Sequence, residues 1–322
     1  MLLVEFTING TLHRVSMEGH ALTHYWDALV IGLDAPTYQL ATFYGGYAKP
    51  SFGSIRFSHD LFAAADWPPP VNGAISIYYS ATTEEAKELV FTGTAHISRI
   101  NREEIEYDLY GPSYTVTVGD GENFNDTLVD VATWFCGASY LNLALDSTYA
   151  RVSSPQVVFL NSGVQIAVNL FSEICAFFTH CFHITGGTLY LIDMLRDAGT
   201  ETITEFDFFP SEYDWEVPIA VARASQYSRF SIYPYGQDIT LTAYADTQER
   251  IEAALDNVIL VSNKAKMRIR RPLLGSFPTA GTAITVPDTS LGEDTSTVIR
   301  SRSMQLDFEN GEVITEGEGE IS

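Results

Sequence analysis

Strict alternation of side chains, broken by tight turns, most constrains what this chain can fold into. Leu3, Glu5 and Thr7 alternate with Val4, Phe6 and Ile8, and Asn9-Gly10 follows at once. A period of two sends successive side chains to opposite faces of a strand. Asn-Gly accepts the positive φ values of a two-residue hairpin turn, so the spacing predicts that Leu2–Ile8 pairs with residues 11–17. Similar segments recur at 38–44, 54–57, 74–79, 89–100 and 104–110. Asn101-Arg102 reads as another tight turn. Trp67-Pro68-Pro69-Pro70 lacks ladder donors and reads as loop. Strands this dense predict an antiparallel barrel or sandwich over residues 1–111, ended by Gly111-Pro112.

Residues 112–198 change character. Asn125 or Asp126 can cap a helix whose stripe is Leu128, Val131, Ala132 and Phe135. A second helix near 164–180 carries Ile166, Leu170, Ile174, Phe177 and Cys181 on one stripe, with Val168, Phe171 and Phe178 off it. Such a helix is buried on most sides. It is too short, and too interrupted by Asn169 and Glu173, to span a bilayer. Residues 182–185, Gly186-Gly187 and 188–193 read as a second hairpin, so this block is a small α+β domain without room for a deep cleft.

Strands return at 202–209, 220–233 and 238–244. Asp246 with Glu249 has capping-box spacing, ahead of a stripe at Ile251, Ala254 or Leu255, Val258 and Val261. Further strands are expected at 265–271, 283–286, 297–308 and 312–318, the last two joined by Asn310-Gly311. The expected class is mainly β (α+β). A β-barrel spans 1–111 and a small α+β domain 112–198. A second β-barrel is built from 199–246 plus 284–322, with a helix-containing insertion at 247–283. The two β domains are expected to share a fold. No period of 20–50 residues marks a solenoid or propeller.

Charge narrows the function. The chain carries 41 Asp and Glu against 18 Lys and Arg, a net charge of -23. That balance disfavours tight nucleic-acid binding by counterion release and repels an anionic membrane face. Three cysteines form no disulfide framework and fit synthesis in a reducing compartment. The start Met1-Leu2-Leu3-Val4-Glu5-Phe6 has no basic region and no long apolar run, so it does not read as a secretory signal.

Catalytic signatures are missing: no H-E-x-x-H, no G-x-S-x-G, no Walker loop and no strand-linked G-x-G-x-x-G. The metal candidates by residue type are Cys175, His180, Cys181 and His183. Six apart on one helix, the two cysteines would fall on opposite sides. Buried filler cysteines and helix-end histidines are expected instead, with no metal and no cofactor. Trp67, Tyr78-Tyr79 and Tyr233-Pro234-Tyr235 could form a sugar-stacking platform, but in a β-rich chain they read first as cross-strand core pairs.

One local oddity remains. Lys264, Lys266, Arg268, Arg270 and Arg271 fall within eight residues, with Ala265, Met267 and Ile269 between them. On a strand this puts four cations on one face. The face is either simply solvated or a contact with an acidic partner, most simply a second copy of this chain, which makes the five residues subunit-interface candidates. The acids Glu309, Glu312, Glu316, Glu318 and Glu320 could equally meet them within one chain.

Four passages carry a family resemblance. They are Ile97-Ser98-Arg99-Ile100-Asn101-Arg102 running to Gly111-Pro112; the apolar helix leading into Gly186-Gly187-Thr188-Leu189-Tyr190-Leu191-Ile192-Asp193; Met267-Arg268-Ile269-Arg270-Arg271-Pro272-Leu273-Leu274-Gly275; and Phe308-Glu309-Asn310-Gly311. In these the chain resembles the baseplate or tail-tip hub proteins of tailed bacteriophages, the late control protein D type. The resemblance implies a structural virion protein and no enzyme. It implies a homotrimeric ring in which two related β domains per chain stand in for six units. Implied neighbours are a distal tail or tail tube protein hexamer, a tape measure protein and a central spike or fibre. DNA would cross an acidic channel without specific binding, and no stable membrane insertion is implied. The implied location is the distal end of the tail in the virion, after synthesis in the host cytoplasm. The chain is short for a contractile-tail hub, and its three cysteines do not match the four-cysteine set of iron–sulfur relatives. A β-rich adhesion or carbohydrate-binding module of a tail is the alternative, and a wall-degrading enzyme comes after it.

Overall fold

The structure is a computed structural model. It describes residues 2–8, 10–16, 30–34, 38–42, 44–50, 53–61, 69–79, 87–145, 154–195, 201–202, 212–214, 217–263, 266–272, 283–288, 293–307 and 312–321. The chain is mainly β, as expected, with three α-helices among those residues.

The N-terminal strands form one antiparallel run. Thr11–Ser16 lies beside Leu2–Ile8, followed by Asn72–Tyr79, Glu88–Ile100, Glu104–Tyr110, Gly53–Ser58 and Val30–Asp34. The first hairpin has the predicted register: Ile8 faces Thr11 across the turn, and Gly10 sits at φ 80°. Asn101 closes the predicted turn between the two strands at 88–110. Its Oδ1 accepts from the amides of Glu103 (2.8 Å) and Glu104 (2.9 Å), an Asx turn.

Alternation decides the buried face. Val4 and Phe6, Ile55 and Phe57, Ile75 and Ile77, and Ile105, Tyr107 and Leu109 meet in one buried cluster. Phe6 and Phe57 stack at 5.6 Å between centroids. Their strands are four steps apart in the sheet order. A flat sheet would hold them about 19 Å apart at the usual strand spacing. The sheet therefore curls until its two sides touch, with Tyr107 packed edge-on to Phe6 at 5.1 Å and to Phe57 at 6.0 Å. Curling lets the sheet cover its own apolar face.

The middle of the chain builds a second core. Helix α1 spans Leu128–Ser139 and α2 spans Ala167–Phe177. Thr127 caps α1 by accepting from the Asp130 amide, so the expected cap at Asn125 or Asp126 moves inward. Those two residues belong instead to the strand Asn123–Thr127, paired with Gln156–Leu160. Helix α2 is shorter than the predicted 164–180. Gln165–Ile166 is taken by a short strand with Thr117–Val118, and Thr179 takes φ 54° ahead of the next strand. Phe135 of α1 stacks on Phe171 of α2 at 5.3 Å, and Phe171 meets Phe182 at 4.8 Å.

The predicted hairpin forms between His180–Thr185 and Thr188–Asp193. Gly186 and Gly187 turn it at φ 57° and 76°, a left-handed pair that suits two successive glycines. Asn142–Leu145 and Gly46–Tyr47 add parallel strands on either side. The N-terminal unit thus reaches into the central one: Ala48 donates to the Phe182 carbonyl (2.7 Å) and Tyr47 stacks on Phe182 at 4.9 Å.

Sheet membership cuts across the boundaries expected from sequence. Ile219–Ala224 pairs antiparallel with Tyr227–Phe230 and parallel with Gln237–Leu241, making a separate three-stranded sheet. Helix α3, Gln248–Ser262, packs on it through Ile251, Ala254, Leu255 and Val258, and these share the central core with α1 and α2. Its cap is Thr247, not the expected Asp246. Strands Ala283–Asp288, Glu293–Asp307 and Glu312–Ile321 instead extend the large N-terminal sheet, joined to it at Gln305 opposite Asp34 and through Tyr38–Gln39. Lys266–Pro272 runs in that same sheet. Strand density cannot reveal such grouping, because pairing is chosen between distant segments. The expected Asn310-Gly311 turn and most of the strand at 202–209 lie outside the described residues.

Ile174 is fully buried at the centre of α2. Replacing it with Ala should cost roughly 2–5 kcal/mol through lost burial and a residual cavity. Urea unfolding measures this, and a loss within about 0.5 kcal/mol would place the α2 stripe at the surface.

Candidate subunit interface

The basic segment is a strand, Lys266–Pro272, as the alternation predicted. Its antiparallel neighbour on one side is the acidic C-terminal strand. The register sets Lys266 opposite Glu320, Arg268 opposite Glu318 and Arg270 opposite Glu316. On the other side Glu212 stands opposite Arg268 and Asp214 opposite Lys266. Arg271 faces Thr315, and Lys264 lies outside the described residues. Opposite-sign pairs directly across an antiparallel ladder stabilise it, by roughly 0.2–1 kcal/mol each. Two acidic strands therefore flank the cationic one within a single chain. Glu309 lies outside the described residues, and Glu312 pairs with Asp307 at the hairpin end.

The cysteine and histidine candidates do not assemble as a metal set. Cys181 is on the hairpin strand and not on α2, which corrects the expected helical placement of both cysteines. Among the described residues no group of three His, Cys, Asp or Glu side chains could hold an ion. His183 stacks flat on Tyr190 at 4.8 Å. His180 donates from Nδ1 to the Phe178 carbonyl at 2.7 Å. Burial lowers its pKa, opposed by the Asp193 carboxylate and by that hydrogen bond. No disulfide joins the three cysteines, and all are buried. Burial raises the Cys136 thiol to about 11 and pushes Cys175 well up, with Cys181 adding to the latter shift.

A cavity of about 450 Å³ opens beside this hairpin, lined by Ser154, Gln156, His180, Asp193, Arg250 and Asn257 among others. Its polar groups serve the fold. The Ser154 hydroxyl accepts from the Val129 amide at 3.2 Å, and Arg250 donates to Asp246 at 2.9 Å.

The aromatic candidates divide. Tyr78 is half-buried with the Lys87 ammonium 4.1 Å from its ring centre, and its hydroxyl donates to Glu5 at 3.4 Å. Trp67 lies outside the described residues, and for Tyr79 only the backbone pairing with Leu2 and Glu88 is described. Tyr233 and Tyr235, expected first as core pairs, are exposed at a turn. Pro234 and Gly236 carry the sequence signal for that turn.

Comparison with known proteins gives the fold a context. No family model and no curated protein sequence matches this chain. Solved structures do. A tail protein from Neisseria meningitidis MC58 superposes with a TM-score of 0.63 at 11% identity, over 99% of this chain and 96% of that one. The 43 kDa tail protein of prophage MuSo2 from Shewanella oneidensis gives 0.60 at 12% identity, over 100% and 99%. The prophage tail protein gp18 from Listeria monocytogenes EGD-e gives 0.51 at 9% identity, over 98% and 94%. At such identities the likeness is one of fold, and it runs the length of the chain.

Two measurements test these placements. Reversing Lys266, Arg268 and Arg270 to Glu sets like charges opposite Glu320, Glu318 and Glu316, and should lower stability by roughly 1–3 kcal/mol. Adding Glu316→Lys, Glu318→Lys and Glu320→Lys should restore most of it. No rescue in thermal unfolding would show that the register pairs do not interact. Separately, Ellman's reagent at pH 8 should find almost no reactive thiol in the folded chain and three after denaturation, because burial keeps the thiols protonated and covered. A fast-reacting native thiol would contradict the buried assignment.

Proposed function

We propose that this chain is a structural protein of a phage tail tip, a baseplate or tail-tip hub with no catalytic role. The observation that carries the reading is the full-length fold likeness to tail proteins, at TM-scores of 0.63 and 0.60. It agrees with the family resemblance carried by the four sequence passages. In this reading three copies form a ring that meets a tail tube or distal tail hexamer above. The threefold symmetry of the ring suits a central spike or fibre below. A tape measure protein ends at the ring, and DNA crosses its centre during ejection. A net charge of -23 supports that last role, because an acidic wall repels phosphate and leaves DNA free to slide. The protein acts at the distal end of the tail in the virion.

Within this proposal Lys264, Lys266, Arg268, Arg270 and Arg271 keep a role at the subunit boundary. The acidic residues in register with the strand make a fold contact, and a cationic ladder near a boundary could also meet acids of the next copy. The reversal of Lys266, Arg268 and Arg270 separates the two roles. Lost stability in a monomer is the fold contact, and lost assembly in a stable chain is the boundary.

The exposed Tyr233 and Tyr235 favour the second reading, a carbohydrate-binding module of a tail. Mass in solution with negative-stain class averages tests both. Threefold rings support the hub. A chain that stays monomeric at all concentrations and binds glycans on an array overturns it in favour of the module.

A further inference from the structure

The turn at residues 230–236 is the most conspicuous apolar surface among the described residues. Phe230 is 71% exposed, Ile232 86%, Tyr233 40% and Tyr235 96%, with Val217 at 64% next to them. The turn is held in shape by its backbone. Ser231 donates to the Ala220 carbonyl (2.9 Å), and the Gln237 amide donates to Pro218 (2.8 Å). The Tyr233 amide donates to the Ser231 hydroxyl at 3.0 Å. Gly236 passes so close to Pro218 that any side chain there would strike its carbonyl. The apolar residues are thus presented on a fixed support next to Val217, and little ordering entropy remains to oppose binding.

Size and charge indicate what covers this apron. The three rings, at about 200 Å² apiece, leave on the order of 400 Å² exposed. Ile232 and Val217 add to that. A stable interface buries about 800 Å² per partner, so the apron supplies half or more of one side. The seven residues 230–236 carry no charge, in a chain of net charge -23. The flanking cations are neutralised on the spot. Arg223 pairs with Asp238 at 3.2 Å, and Arg229 with Glu252 at 2.9 Å and Asp256 at 3.2 Å. Copies of an acidic chain repel each other over most of their surface, but this face lets them approach without setting like charges together.

We propose that Val217, Phe230, Ile232, Tyr233 and Tyr235 form a contact face between copies of this chain. The proposal rests on the ring reading above and gives one of its contacts an address. It also fixes a sign. An apolar contact between like-charged chains strengthens with salt, because screening removes repulsion and leaves the apolar term. A contact made by the cationic strand on a neighbour's acids would weaken instead.

The test is sedimentation velocity of the full chain over a concentration series, in about 50 mM and about 500 mM sodium chloride. Wild type should associate more tightly at high salt. The variant Phe230→Ser with Ile232→Ser and Tyr235→Ser should lose roughly tenfold or more in association constant at either salt. Its circular dichroism and melting temperature should match wild type, since all three side chains are exposed. Should the triple variant fold poorly, Tyr235→Ser alone, at the most exposed of them, should still weaken association. Tyr140→Ser, at an exposed site after α1, should change nothing. A folded triple variant that associates like wild type overturns the apron while leaving the ring reading intact. So does wild-type association that weakens with salt. A wild type that is monomeric throughout overturns both.

Discussion

The contact between Phe6, Phe57 and Tyr107 is the constraint on which the rest of the architecture hangs. These rings come from strands separated in the sheet order, and they meet only because the sheet curls. A single-layer sheet with one apolar face must bury it somewhere, and here it does so against itself. The curl leaves the Val30–Asp34 strand as a side on which the C-terminal strands extend the sheet. The segment after it can then leave for the central unit, where Tyr47 and Ala48 join Phe182. If the rings came apart, the sheet edge and the link to the central core would both lose their support.

The central core answers a different problem. Neither α1 nor α2 is long enough to be stable alone, and helices of 12 and 11 residues rely on packing. Phe135, Phe171 and Phe182 supply it, and α3 closes the far side through an apolar stripe on a small strand layer rich in alanine. Tyr244 ties these parts together by donating to Glu173 of α2 at 2.8 Å, while its carbonyl accepts from Val158. Cys136, Cys175 and the ring of His183 are packing elements in or beside this core.

Charge is organised as locally as packing. Several cations are placed against acids: Arg14 and Lys87 share Glu5, Arg229 bridges Glu252 and Asp256, and the Lys266–Pro272 ladder runs between acidic strands. Exposed pairs of this kind contribute only about 0–1 kcal/mol each, so their main effect is on register and on which surfaces repel. Strand register is otherwise weakly specified where both faces are polar, as in the Glu-Gly repeats of the last strand, and matched charge is one of the few signals that can set it.

Much of the local structure was determined by the sequence alone. Period-two alternation, Gly10 and the Gly186-Gly187 pair dictated the hairpins, because side-chain direction and φ are properties of neighbouring residues. The stripe of α3 was legible for the same reason, at steps of three and four. The caps fall one or two residues after Asn125, Asp126 and Asp246, since several adjacent polar residues can serve and only packing selects Thr127 and Thr247. The cationic strand was legible as a strand, but its neighbours were not, because cross-strand partners lie some fifty residues away in the chain. Only the tertiary structure decided that Ile219–Ala224 leaves the large sheet for α3, and that Cys181 sits on a strand. It alone decided that Tyr233 and Tyr235 stand in solvent. The physical reason is common to all three: local propensity says that a segment is extended or helical, whereas the surface it buries depends on which distant segment arrives to cover it.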